Sequence, residues 1–230
     1  MVHYSMDKKS EKGIIIGVEV NTDSFRIVKT IRNDNKVRVL DFAHFSASRK
    51  QNVSGGASVD MSQQLVSIVG AKEMKKANIH CTIPCRNLCI RVVSMPAMPH
   101  QELYQAIRSK IHKYFSGDLG EAYYNFSIVG ETEERGTKKL EVVFAAIPKQ
   151  AFNKYFQKFE SIGMRPKLIT PSCFASWSMV RQAGLSRDAA TMMLINIDSH
   201  DTDLTVCSEN QFVFTRNISI GASNFSEILK

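Results

Sequence analysis

The stretch Met193-Leu194-Ile195-Asn196-Ile197-Asp198-Ser199-His200-Asp201-Thr202-Asp203-Leu204-Thr205-Val206-Cys207 decides the fold. Its apolar opening reads as a buried strand, Asp198 to Thr202 as a tight polar turn, and Asp203 to Cys207 as a second strand. Glu209-Asn210-Gln211 then turns the chain into a third strand, Phe212 to Ile220, and Gly221 opens a helix. The same plan occurs near the N-terminus. Ile14-Ile15-Ile16-Gly17-Val18-Glu19-Val20 is a buried strand, Asn21-Thr22-Asp23-Ser24 a turn, and Phe25 to Ile31 an alternating strand. Asn33-Asp34-Asn35 turns into Val37 to Phe42. Two antiparallel meanders matching in order and spacing predict a duplicated α/β protein, with two similar halves and a cleft suited to a ligand.

Between the meanders lies a different pattern. Met61, Leu65, Ile68 and Val69 recur at helical spacing, and that helix is expected to end near Lys75-Lys76. Residues 79–94 read as two strands around a turn, ending at Met95-Pro96-Ala97-Met98-Pro99. Leu103, Ile107, Ile111 and Phe115 mark an amphipathic helix with Glu102 in its first turn. Ala122 to Val129 and Leu140 to Ile147 are strands around a charged turn, Glu131 to Lys139. Phe152, Tyr155, Phe156 and Phe159 stripe a helix that stops at Gly163, and Ser172 to Ala183 is a helix carrying Trp177. The expected organisation is a polar tail (1–12), a first half (13–78 and 169–188), an inserted unit (79–168) and the start of a second half (189–230).

Composition narrows the function. An apolar fraction of 43% with a net charge of +8 excludes a disordered chain, and the longest apolar runs are far short of a membrane span. The N-terminal residues mix acids with bases and do not read as a secretory signal. Residues 1–100 hold 15 basic and 8 acidic residues, but no Lys/Arg run is interleaved with aromatics. The surplus is therefore read as a solvated surface rather than a site for nucleic acid or an anionic membrane. Five cysteines without an export signal read as reduced thiols. Cys81, Cys85 and Cys89 fall at four-residue intervals and form no Cys-x-x-Cys pair, so neither zinc nor an iron–sulfur cluster is expected.

Two tight strand-turn-strand motifs have one chemistry in common. Backbone N–H groups of such turns cradle phosphate, glycine permits close approach, and a nearby carboxylate holds Mg²⁺ directly or through water. Asp201 and Asp203 read either as orienting a metal-bound water or as turn chemistry and the exposed start of a strand. No Ser/His/Asp arrangement and no Gly-x-x-x-x-Gly-Lys motif is present.

With these turns quoted, the chain resembles the type IV pilus assembly protein PilM family, in the actin-like ATPase superfamily alongside FtsA. That family's first turn has the form Gly-Ile-Asp-Ile-Gly-Ser-Ser, against Gly17-Val18-Glu19-Val20-Asn21-Thr22-Asp23-Ser24 here. Its second is Val-Asp-Ile-Gly before a Thr-Asp-Leu strand, against Ile195-Asn196-Ile197-Asp198 and Thr202-Asp203-Leu204. Its Ile-Gly-Gly element is similar to Ile220-Gly221-Ala222. Met95 to Pro99, Ala145-Ala146-Ile147-Pro148-Lys149 and Ser161 to Lys167 follow the family's inserted segment in order.

The resemblance implies an actin-like (ribonuclease H-like) α/β fold with an inserted SHS2-type subdomain, apparently truncated in its second half. It implies a nucleotide site at Glu19, Asn21, Thr22, Asp23, Ser24, Asn196, Asp198, Ser199, Asp201, Thr202 and Gly221, with Mg²⁺ near Glu19 and Asp203. It implies a cytoplasmic adaptor, peripheral at the bacterial inner membrane, that binds the cytoplasmic peptide of a PilN-like membrane protein and meets motor or platform components of pilus assembly, twitching motility or secretion. The sequence departs from the family at equivalent points of both turns. Glu19 stands for Asp, Asn21 for Gly, Asn196 for Asp and Asp198 for Gly. Bulk and an anion where a phosphate should sit imply weakened or lost ATP hydrolysis. The alternatives are a working actin-like ATPase, whose ATP state regulates assembly, and an FtsA-like or GspL-like protein.

Overall fold

A computed structural model of the chain describes residues 13–21, 24–33, 36–46, 66–70, 78–161, 163–185 and 191–228. It divides into two compact units: one drawn from Asp7–Pro84 together with Lys154–Ser172, the other chiefly from Cys85–Asn153 and Cys173–Lys230.

The first unit is a mixed five-stranded sheet. β1 (Gly13–Val20), β2 (Ser24–Asn33) and β3 (Lys36–Ser46) form the expected antiparallel meander. β4 (Asn78–Ile83) pairs parallel with β1, and β8 (Leu168–Pro171) parallel with β4, giving the order β3-β2-β1-β4-β8. Period-two alternation turns Ile16, Val18, Val20, Phe25, Ile27, Ile79, Cys81 and Ile83 inward. Phe25 stacks on Phe45 at 4.6 Å. The described helical residues 66–69 end at Gly70, whose φ of 84° breaks the helix and whose N–H donates to the Val66 carbonyl. Met61, Leu65 and Lys75-Lys76 lie outside the described residues.

The second unit holds two three-stranded sheets. β5 (Cys89–Pro96), β6 (Ala122–Glu134) and β7 (Thr137–Pro148) form the order β5-β7-β6. Helix α1 (His100–Tyr114) covers one face of this sheet, where Leu103, Ile107 and Ile111 pack on Met95, Val142, Phe144 and Ala146. The opposite face, Ile90 and Val143, packs with Trp177 and Cys173 of helix α3 (Ser172–Gln182) and with Cys207 and Phe212. The last two residues belong to the second meander: β9 (Thr191–Ile197), β10 (Thr202–Ser208) and β11 (Gln211–Ile218), in the order β11-β10-β9. Helix α4 (Ala222–Ile228) follows.

Helix α2 (Lys149–Ser161) ends as its sequence predicts. Gly163 takes φ 74°, its N–H donates to the Glu160 carbonyl, and Met164 N–H donates to the Phe159 carbonyl. That pair of bonds is a Schellman stop.

Three sequence expectations are corrected. The strands of residues 79–94 flank a turn but belong to different sheets. Asn87, at φ 69°, redirects the chain between β4 and β5, so the five-stranded sheet runs to Ile83 and the smaller one begins at Cys89. The charged stretch Glu131 to Lys139 is mostly strand. Only Arg135-Gly136 turn, at φ 52° and 75°, as a two-residue hairpin requires. The strand Met193 to Ile197 is not buried: it is the edge of its sheet, and Met193, Ile195 and Ile197 are 56%, 55% and 54% exposed.

Candidate functional site

Each unit carries one candidate turn, built by its own hairpin. In the first, β1 and β2 pair in register, which sets Glu19 across from Arg26. Arg26 Nη1 lies 2.6 Å from Glu19 Oε2, so the carboxylate expected to approach a metal carries a guanidinium. Asn21 is buried where the family has glycine; its N–H donates to the Ser24 carbonyl at 2.8 Å and closes the turn. Its side-chain Nδ2 is buried without a hydrogen-bond partner. A buried amide donor left unpaired costs about 1–3 kcal/mol, so this atom marks a place where an acceptor would be welcome. Ser24 is half-buried at the start of β2. Thr22 and Asp23 lie outside the described residues.

The second turn is held more tightly. Asp198 N–H donates to the Asp201 carbonyl at 2.8 Å, closing it on itself. Helix α4 is anchored on the same turn: Ala222 N–H donates to the Asp198 carbonyl at 2.8 Å and Ser223 N–H to the Ser199 carbonyl at 3.0 Å. The Ser223 hydroxyl bonds the Ser199 carbonyl and lies 3.2 Å from His200 Nδ1. Thr202 Oγ1 donates to the Ile220 carbonyl at 2.7 Å. Gly221 is required by closeness rather than by its dihedral. A Cβ there would stand 2.5 Å from the Asp198 carbonyl oxygen and the His200 nitrogen, and 2.6 Å from the Asp201 nitrogen.

The acids of this turn have internal partners as well. Asp201 is 5% exposed, and Arg86 sets both Nε and Nη2 at 2.8 Å from its Oδ2. Asp203, also buried, accepts from Asn217 Nδ2 at 2.8 Å. Asn196 lies across from Asp203 in the β9–β10 register. Charges buried in this way persist only when paired, because leaving water costs several kcal/mol per ion.

Asn196, Asp198, Ser199, Asp201, Thr202 and Gly221 are thus brought together on one turn, and Glu19, Asn21 and Ser24 on the other. Arg26, Arg86 and Asn217 are the partners that sequence reasoning missed. Arg26 could have been found, since strand pairing puts it across from Glu19. Arg86 could not: 115 residues separate it from Asp201. Among the described residues no group of three or more His, Cys, Asp and Glu is gathered to hold a metal ion.

Two meanders with this shared plan, one continued into a parallel sheet and interrupted by an inserted α/β unit, define a protein of the actin-like ATPase fold. Solved structures carry the same architecture. The chain superposes on a chain of the PilM–PilN type IV pilus biogenesis complex with TM-score 0.73 and 15% identity, covering 93% of this chain and 63% of that one. It therefore spans less than two thirds of that relative. It also matches the cytoplasmic domain of EpsL, an inner-membrane component of the type II secretion system of Vibrio cholerae, with TM-score 0.54, 8% identity, and coverage of 94% and 74%. A Bacteroides thetaiotaomicron protein with actin-like ATPase fold and unknown function matches at TM-score 0.48 and 10% identity, over 95% and 74%. No curated protein matches in sequence. The family model for type IV pilus assembly protein PilM matches residues 17–230, and the chain belongs to that family.

Proposed function

We propose that this protein is a cytoplasmic adaptor of a type IV pilus or related secretion assembly machine, held at the inner membrane by the cytoplasmic peptide of a PilN-like partner, with a nucleotide site that no longer turns over ATP. The likeness to a chain of the PilM–PilN complex over 93% of this chain, together with the PilM family match, supports the adaptor reading. An extended peptide suits such a role, because main-chain hydrogen bonds along a strand or groove supply affinity and side-chain pockets supply choice. Among the described residues no helix is long and apolar enough to cross a membrane.

The second half of the reading rests on the turns. The residues present do not fit Mg-ATP in the family manner. Asp201 is neutralised by Arg86 and Asp203 is engaged by Asn217. The first N–H groups of α4, the natural donors to a phosphate, already donate to the turn's own carbonyls. The side chain of Asp198 adds an anion where the family has glycine.

One observation favours a second reading, a working ATPase. Asn21 Nδ2 is a buried donor without an acceptor, and a phosphate oxygen would satisfy it. Calorimetric titration separates the readings. A synthetic N-terminal cytoplasmic peptide of a PilN-like protein from the same organism is expected to bind; silence at about 100 times a micromolar dissociation constant would overturn the adaptor role. Mg-ATP at millimolar concentration is expected to give neither heat nor a rise in melting temperature; a clear rise would favour the ATPase.

A further inference from the structure

β3 is last in the order β3-β2-β1-β4-β8, and among the described residues no strand pairs with its far side. Edge strands are usually blunted by proline, by charge or by shortness. This one runs from Lys36 to Ser46 without proline, and it holds Phe42 76%, Val39 57% and Val37 48% exposed. Its centre reads Val37-Arg38-Val39-Leu40-Asp41-Phe42, which is apolar, cation, apolar, apolar, anion, apolar. Laid antiparallel against itself about a dyad between Val39 and Leu40, this segment matches its own chemistry. Arg38 falls opposite Asp41 of a second copy, and Val37 opposite Phe42, each twice.

In a regular strand that register would fail, because residues 37 and 42 would point to opposite faces. The bulge in β3 removes the conflict. The β2–β3 register shifts between Lys29 and Thr30, so Leu40 is the extra residue. Val37 then lies across from Arg32 and Phe42 across from Val28, on one face of β2. Arg38 lies across from Ile31 and Asp41 across from Lys29, on the other. Both apolar residues share one face and both charged residues share the other, as cross-strand partners must. The backbone agrees. Phe42 N–H donates to its neighbour's carboxylate, Asp41 Oδ1, at 2.8 Å. It is free to exchange that side chain for a strand, which releases Asp41 to Arg38 of the second copy.

We propose that two copies of this chain pair antiparallel through β3, joining their five-stranded sheets into one continuous sheet. The occupant is a second copy because the edge is complementary to itself in charge and in apolar content, the condition for an isologous two-fold contact. An edge contact buries less than the roughly 800 Å² per partner of a standard interface, so the dimer dissociates on dilution. The inference stands apart from the adaptor reading and uses none of the turn residues.

Sedimentation velocity of the full chain tests it, over about 5 to 300 μM, the range in which an interface of this size is expected to titrate. Wild type is expected to pass from monomer to dimer. Arg38→Asp and Asp41→Arg each set like charges opposite one another twice, and each should weaken association at least tenfold. An equimolar mixture of the two single variants should dimerise again, because each supplies the charge the other lacks. The double variant R38D/D41R should behave as wild type. Both positions are exposed, so unchanged melting of each variant verifies that it is folded. A wild type that stays monomeric throughout overturns the proposal. So do single variants that associate as wild type does, a mixture no better than either variant alone, or a dimer lost on Ile195→Lys but indifferent to residues 38 and 41.

Discussion

The two meanders share a plan and differ in how they are covered. β1 and β9 both read from sequence as buried apolar strands. β1 has β2 on one side and β4 on the other, and every second side chain is buried. Among the described residues β9 has only β10, and Met193, Ile195 and Ile197 on one face remain more than half exposed. The apolar run is nearly the same, so composition does not decide burial; the neighbours do. The turns differ the other way round. Among the described residues, the turn between β1 and β2 is closed by the Asn21–Ser24 backbone bond and flanked by an ion pair between partly exposed side chains. The turn between β9 and β10 is bonded to α4, through Thr202 to the Ile220 carbonyl and, through a nearly buried carboxylate, to Arg86. The first meander is secured through its sheet and the second through its turn.

The sharpest way to break this contrast is to add one carbon to each meander. Gly221→Ala drives a methyl into three backbone atoms that have no rotamer to give, and should cost about 3 kcal/mol or more. Gly17→Ala meets only the Val28 Cγ1 methyl, at 2.9 Å, and should cost about 1 kcal/mol. Urea midpoints measure both, and equal losses would refute the contrast.

The ion pairs come next. Arg86→Ala leaves Asp201 nearly buried without its partner. Removing one member of a fully buried pair costs about 3–5 kcal/mol; the Arg86 side chain is 39% exposed, so about 2 is expected. Arg26→Ala acts on a pair whose side chains are 43% and 23% exposed and should cost about 0.5 kcal/mol. A larger loss at Arg26 than at Arg86 would reverse the assignment.

The smallest effect is on pH. Burial pushes the Cys81 thiol up to about 12, in the first sheet. Burial also raises Cys207 in β10, and it raises Cys173 well above its usual range, helped by Cys85 beside it. Above about pH 9 the unfolded chain loses these protons while the native chain keeps them. Their contribution is therefore complete below about pH 9 and is lost as pH rises toward 12, at up to about 1.4 kcal/mol per pH unit for each thiol. Cys81→Ala should flatten the decline between pH 8 and 10.5 more than Cys207→Ala does. A decline indifferent to both would assign it to other groups.

How far the sequence could be read follows from the range of each interaction. Both meanders were legible because their strands alternate and their turns are built from Asn, Asp and Ser, all within a dozen residues. The stop at Gly163 was legible for the same reason. The parting of β4 from β5 was not. The residues on either side of Asn87 look like one hairpin, and only β1 and β8, which flank β4, reveal that they are not. At the site, the phosphate-type turns were legible from Gly17 to Ser24 and Asn196 to Gly221. What satisfies their acids was legible only at Arg26, by strand register. The exposure of β9 was illegible because burial belongs to whatever lies against a strand.

The pair formed by Arg86 and Asp201 also orders events in time. A ribosome delivers Arg86 long before Asp201, which follows it by 115 positions, and the chain between them holds α1, the smaller sheet, α2, β8, α3 and β9. Folding proceeds in units as the chain emerges, and distant contacts form last. Until Asp201 arrives, Arg86 waits on a turn already fixed between two sheets. Asp201 cannot leave water cheaply until that guanidinium is in place. The second meander is thus expected to close onto a finished template. In Arg86→Ala, pulse-labelled hydrogen exchange should show β9–β11 gaining protection late while β5–β7 keep their normal schedule.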